Sequence, residues 1–223
     1  MKKLLIFGGG VFAKFLKTTI EADGQGPVEA FCVNEAYLAG ARAENPGVPV
    51  VAFEELDALY GAGNFEILVS VGYHKMNENR AKVFRACDER GYAIASFVHS
   101  TATVRCDTVG RGNIIMENCR LHYFTRLGEG NIIIADTALG HETRVGDFCF
   151  IAGATTGGLV EIGSYSFIGM KSVVCDHIRL GDHTLLGAGT VASADTKPYT
   201  AVMAAKNRIV QAGDAEALGS LLP

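Results

Sequence analysis

The feature that most restricts how this chain can fold is a spacing of six. Val109, Ile115, Leu121, Leu127, Ile133, Leu139, Val145 and Ile151 stand six residues apart. After a step of eleven the series resumes at Ile162, Ile168, Val174, Leu180, Leu186 and Ala192. Eleven is one short of two sixes, so one residue is missing between 151 and 162. Apolar residues make up 48% of the chain, so isolated hits are expected. Fourteen in series, allowing for choice of frame and break, arise by accident roughly once in five hundred such sequences. Glycine also follows the aliphatic residue at 110, 128, 140, 146, 163, 169, 181 and 187. So short a repeat has room for one short strand and one turn. Three repeats close a triangular coil, and stacked coils bury the aliphatic column. The glycines read as corner residues with unusual backbone dihedrals. A parallel β-helix is expected over 100–206, and a short helix or frayed end over 207–223.

Residues 1–99 follow a different rule, apolar strands alternating with helical patterns. Lys3 to Phe7 reads as a buried strand, followed by Gly8-Gly9-Gly10 and an amphipathic helix from Val11 to Ala22. Val28 to Val33 and Phe65 to Val71 are further strands, and Phe53 to Leu59 is a short helix. Asn77 to Arg90 is a longer helix stopped by Gly91, and Tyr92 to Val98 a last strand. Residues 35–50 carry Gly and Pro and read as loop. This alternation predicts a small α/β domain, a parallel sheet with helices on its faces.

Composition narrows the function. A net charge of −4 leaves no basic patch for nucleic acid, and no apolar run is long enough to span a bilayer. The opening Met1-Lys2-Lys3-Leu4-Leu5-Ile6-Phe7 is cut off by glycine without a small-residue cleavage site, so it reads as a strand and not a signal peptide. Six cysteines without a CxxC pair read as reduced thiols of a cytoplasmic protein. No set of histidines at coil spacing suggests a metal, and none is expected.

Two places carry chemistry. In Leu139-Gly140-His141-Glu142-Thr143-Arg144-Val145-Gly146, His141 falls two residues after a core aliphatic, near a corner of the prism and facing outward or toward a neighbouring subunit. Glu142 beside it can hold the far imidazole nitrogen, the pairing a general base uses. Gly8-x-Gly10-x-x-Ala13 after the first strand is a form of the dinucleotide fingerprint, which lets phosphate approach a helix N-terminus. Gly72 closes the third strand, and Tyr73, His74 and Lys75 beside it make a candidate substrate rim.

With these motifs the chain resembles the bacterial sugar acetyltransferases that join a Rossmann-like domain to a hexapeptide-repeat left-handed β-helix, the group of bacillosamine and perosamine N-acetyltransferases and sialic-acid O-acetyltransferases. The resemblance rests on Ile6 to Gly10, Val71-Gly72, Phe97-Val98-His99-Ser100-Thr101-Ala102, Gly140-His141-Glu142 through Phe148, Gly157-Gly158 and Ile162-Gly163. It runs from residue 2 to about 210 and implies a homotrimer with acetyl-CoA along the β-helix at a subunit interface. It further implies that His141 is the general base, Glu142 the group that raises its basicity, and the Gly158 N–H an oxyanion donor. Phe150, Gly158, Met170 and Ala188 align with acetyl-CoA contacts. Gly8, Gly10, Phe12, Asn34, Glu35 and Gly72 fall on the nucleotide-sugar side. The implied activity is acetyl-CoA-dependent N-acetylation of a nucleotide-linked amino sugar. A sugar O-acetyltransferase and an inactive trimeric sugar-nucleotide-binding protein are the alternatives.

The chain also departs from that pattern. The glycine loop reads Gly10-Val11-Phe12 where the bacillosamine type has a histidine close to the sugar. Ile134 replaces an asparagine near the acceptor, and Phe150 a histidine near the thioester, with the missing residue around Ala152-Gly153. The acceptor pocket is therefore expected to be more apolar than in 4-amino-sugar enzymes. His122 and His177 are expected on the β-helix surface, His183 in a turn and His99 at the domain join. Val202-Met203-Ala204-Ala205-Lys206 stands where the family has a Val-Pro-Ala-Lys pattern.

Overall fold

The computed structural model describes residues 2–205. Lys206 and the expected terminal helix of 207–223 lie outside the described residues. The N-terminal part runs β1 (Lys3–Phe7), α1 (Val11–Ala22), β2 (Val28–Val33), α2 (Glu35–Glu44), β3 (Val50–Ala52), a tight turn Phe53–Glu55 leading into α3 (Leu56–Leu59), β4 (Phe65–Val69), α4 (Glu78–Glu89) and β5 (Ala93–Ile94). Its parallel sheet has the order β3-β2-β1-β4-β5. The order reverses between β1 and its neighbours, and an open α/β sheet presents its ligand crevice at such a reversal. In α1 the stripe Ala13, Leu16 and Ile20 is buried; each of the two larger side chains contributes about 1.5–3 kcal/mol by leaving water.

Two readings of this region are corrected. Residues 35–50 contain α2 and not only loop. Asn34 takes the N-cap position, Glu35 lies in the first turn and four alanines follow. Pro46 and Pro49 come after the helix has ended, where they break nothing. The stretch Tyr92–Val98 is two strands in two sheets. Ala93–Ile94 pairs with β4, whereas Phe97–Val98 pairs with Ile114–Ile115 of the β-helix. The β-helix therefore starts at Phe97, three residues ahead of the expected boundary at 100.

From Phe97 the chain winds through three parallel faces. The first carries Phe97–Val98, Ile114–Ile115, Ile132–Ile134, Phe150–Ala152, Phe167–Ile168, Leu185–Leu186 and Ala201–Val202. The second carries Thr103–Val104, Arg120–Leu121, Ala138–Leu139, Thr155–Thr156, Val173–Val174 and Val191–Ala192, and the third Thr108–Val109 through Arg179–Leu180. The arrangement is consistent with left-handed winding. All but one of the fourteen repeat positions are buried; Val109, on the edge strand of the third face, is 41% exposed.

Thr156 fills the gap in the column, five residues after Ile151 and six before Ile162, so the lost residue comes from the turn at Ala152-Gly153-Ala154. The glycines after the aliphatic residues do not have left-handed dihedrals, contrary to expectation. That conformation belongs to side-chain-bearing corner residues such as Glu142, Phe148, Tyr165 and His183. All of these glycines except Gly187 are required by coil stacking; a Cβ at Gly140, for example, would lie 2.1 Å from Gly157 O.

The two domains share buried surface. Phe97, Ile114 and Ile132 pack with Ile6, Phe31 and Leu68, and Phe148 packs with Phe84 and Ile94. Arg80 of α4 completes the join. Its Nε donates to Gly130 O (2.8 Å), Nη1 to Val71 O (3.2 Å) and Gly72 O (3.3 Å), and Nη2 to Phe148 O (2.8 Å) and Cys149 O (3.0 Å). Burial pulls its pKa down to about 10, so the guanidinium remains charged at neutral pH. Asp23 receives both the N–H and the hydroxyl of Ser100 and faces His99. His99 thus lies at the domain join, as expected. Among the described residues no helix is long and apolar enough to cross a membrane.

Candidate active site

His141 and Glu142 occupy the turn between the second and third faces. Leu139 points inward and Glu142 adopts φ +58°, which turns both polar side chains outward. His141 Nδ1 lies 3.6 Å from Glu142 Oε1, and the two side chains are 61% and 51% exposed. The other nitrogen lies over Gly158 of the next coil, where a Cβ would come within 2.4 Å of Nε2. The corner is tied from inside by Thr156, whose Oγ1 accepts the Gly140 N–H at 2.9 Å and lies 3.3 Å from Thr143 Oγ1.

The expected oxyanion role of Gly158 meets a contrary observation. Its N–H is donated to Asp176 Oδ1 at 2.7 Å. The same kind of cap, a corner side chain on the amide one coil earlier, recurs at the turn between the third and first faces. Asp147 caps Glu129, Ser164 caps Asp147, and Asp182 caps Ser164. With no side chain at Gly158, the His141 N–H has no partner among the described residues. Thr156 and Asp176 were not singled out in the sequence, although the recurring aliphatic-x-Asp at 145–147, 174–176 and 180–182 carries the signal for Asp176.

Met170 and Ala188 sit on successive coils at the turn between the first and second faces, both exposed, with Gly189 N–H donating to Met170 O at 2.8 Å. The whole second face separates them from His141 within one chain. Phe150 lies on the first face, stacked on Phe167 (5.5 Å, 6°) with the edge of Tyr73 against both rings. Burial pushes the Cys149 thiol up to about 12, so it stays protonated and is no nucleophile.

The N-terminal domain holds a cleft of about 800 Å³ at the strand reversal. Gly8, Gly10 and Asn34 line it, and so do Tyr37, Glu44, Lys75, Asn79 and Lys82. Gly8 has φ +145° and a Cβ there would strike Ser70 Oγ at 2.2 Å, whereas nothing lies within 4 Å of a Cβ at Gly10, the N-cap of α1. The first turn of α1 contains no acidic residue, so its free N–H groups face the cleft unopposed.

Three expected members lie off this lining. Phe12 is half-buried against the core under α1. Glu35 is absent from the lining, and its N–H is bound to Glu54 Oε2 at 2.9 Å. Gly72 has its carbonyl engaged by Arg80. Asn79 and Lys82 escaped the sequence reading because only the packing of α4 shows which of its faces meets the cleft.

No protein-family model matches the chain, and no curated protein matches it in sequence. Solved structures match over nearly its whole length. A single-residue variant of perosamine N-acetyltransferase from Caulobacter crescentus, in complex with CoA and GDP-perosamine, superposes with a TM-score of 0.80 at 23% identity, covering 92% of this chain and 94% of that one. The acetyltransferase domain of PglB from Neisseria gonorrhoeae FA1090 gives 0.78 at 22% identity, with 92% and 97% covered. WeeI from Acinetobacter baumannii AYE gives 0.78 at 17% identity over the same shares. The chain is similar to these proteins in fold across both domains.

Proposed function

We propose that this protein is an acetyl-CoA-dependent N-acetyltransferase acting on a nucleotide-linked amino sugar. The observation that carries the reading is the His141 ring held over Gly158 with Glu142 at its far nitrogen, on a chain that also has an open cleft framed by a helix N-terminus and two lysines. The whole-length likeness to structures with CoA and GDP-perosamine supports it. His141 Nε2 accepts the proton of the attacking amine as the new C–N bond forms, then passes it to the departing thiolate as the C–S bond breaks. Glu142 stabilises the imidazolium formed between the two steps. With the Gly158 N–H bound to Asp176, the amide available to a developing oxyanion at this corner is that of His141 itself.

The Rossmann-like role belongs to the N-terminal cleft, where Gly8, Gly10 and Asn34 meet the nucleotide and Lys75 and Lys82 neutralise its diphosphate. On this reading the enzyme is a cytoplasmic homotrimer. A second copy is needed because His141 and the acetyl-CoA candidates Met170 and Ala188 lie on different edges of one β-helix. Closed rotation of three copies brings one chain's His141 edge to its neighbour's Met170 edge.

Calorimetric titration with acetyl-CoA and with UDP-, dTDP- and GDP-sugars, followed by turnover, tests the proposal. Saturable binding of acetyl-CoA and one nucleotide class is expected. His141→Ala should lower turnover by about 10²- to 10⁴-fold with binding retained. A well-folded protein that binds neither ligand, or a His141→Ala variant of full activity, overturns it.

A further inference from the structure

The geometry points to Tyr73, backed by Phe150 and Phe167, as the aromatic platform that holds the sugar ring of the substrate; the inference rests on the transferase reading above. Tyr73 lies in the chain between Val71 and Lys75, both of which line the nucleotide cleft, and its ring reaches from there to the β-helix. Its centroid is 5.0 Å from that of Phe150 and 4.9 Å from that of Phe167, in edge-on contact with both. His74 stacks beside it at 5.7 Å. Tyr73 nevertheless stays 49% exposed, and its hydroxyl has no hydrogen-bond partner among the described residues. A tyrosine recruited only to cover two phenylalanines would bury more of itself.

The loop that presents the ring is held in an unusual shape. Lys75, Met76 and Asn77 follow one another in the left-handed region, at φ +53°, +48° and +66°, a run that L-residues disfavour. Asn77, wholly buried, keeps it there by donating from Nδ2 to Tyr165 O (3.1 Å) and Ser166 O (3.2 Å) of the β-helix. The tyrosine is thus fixed relative to Phe150 and the adjoining cleft.

A hexose linked to a diphosphate lying between the α1 N-terminus and Lys75 meets this wall next. Its C–H bonds carry partial positive charge and suit the negative face of an aromatic ring. The departure at Phe150 then has a purpose. An apolar side chain there completes a hydrophobic backing that histidine would not.

The test compares affinities for UDP, dTDP and GDP with those for UDP-glucose, dTDP-rhamnose and GDP-mannose, in the full-length protein and in Tyr73→Ala and Tyr73→Phe. For whichever nucleotide class binds, Tyr73→Ala should weaken the nucleotide sugar about 3- to 10-fold, the size of one aromatic contact. The free nucleoside diphosphate and acetyl-CoA should be unaffected, and Tyr73→Phe should bind as wild type. Equal loss for the free diphosphate, a selective loss of acetyl-CoA or no change overturns the assignment. Wild-type protein that binds a diphosphate but gains nothing from the attached hexose overturns the platform and leaves the cleft reading standing. Wild-type protein that binds no nucleotide at all removes both.

Discussion

Arg80 Nη2 donates to Phe148 O at 2.8 Å, across the junction between α4 and the β-helix. It is one of five such bonds to five backbone carbonyls, made by a side chain only 1% exposed. A buried cation without a carboxylate persists because every donor is matched. The same side chain grips Val71 and Gly72 at the cleft and Gly130, Phe148 and Cys149 on the β-helix, and so sets the distance between the two halves of the proposed site.

Arg80→Met should therefore cost about 3–5 kcal/mol, because it leaves buried carbonyls unpaired. Loss is expected first at the junction. Hydrogen exchange should rise in α4 and at 146–149 before it rises in the middle coils. Protection unchanged in both segments would show that the junction does not depend on this residue.

Gly158→Ala puts a methyl 2.4 Å from His141 Nε2 and must displace the ring. Turnover should fall by about 10²-fold, on the scale of losing a positioned base, while the melting temperature holds within about 2 °C. An active Gly158→Ala variant would mean that His141 does not work from the position seen.

Glu142→Gln keeps the shape of the turn and removes the charge 3.6 Å from His141 Nδ1. A drop in kcat of about 10-fold with KM unchanged is expected, since the carboxylate acts on the charge formed during transfer. A rise in KM alone would place Glu142 in binding instead.

Thr156→Val suits the aliphatic column in size but strips the acceptor from the Gly140 N–H. The expected cost is about 1–3 kcal/mol by urea unfolding, the penalty of an unsatisfied buried amide. No loss of stability would show that water or a shifted turn satisfies the amide.

Asp23 has its carboxyl held below the usual range by the Ser100 hydroxyl, with further hydrogen bonds from Ser100 N–H and Gln25. A carboxylate held low contributes its full stability above the unfolded pKa of about 3.9 and loses it as pH falls through the lower folded value. Wild type should therefore exceed Asp23→Asn in stability at pH 7. The gap should close as the pH drops below about 4. A gap of constant size down to pH 3 would refute the assignment.

Much of the architecture was legible along the chain because a coil of three short strands writes itself as a six-residue period. Each inward aliphatic repeats, and even the lost residue at Ala152-Gly153 announces itself as a step of eleven. The pairing of His141 with Glu142 was legible for the same local reason, since adjacent residues share one turn. The helix over Glu35–Glu44 was not, because glycine and proline nearby masked a run with only one fully buried residue, Ala41, which lies against Gly9.

What lay outside the reach of sequence depends on which groups meet across the chain. The Gly158 amide looks free until Asp176, eighteen residues on, is stacked beneath it. The Glu35 N–H at the start of α2 looks free until Glu54, nineteen residues on, accepts it. Arg80 reads as one more helical cation until five carbonyls from two domains surround it. The periodic, local part of this protein was determined by the order of its residues. Tertiary structure alone decided which donors and acceptors are already engaged, because a hydrogen bond depends on distance in space and leaves no period in the chain.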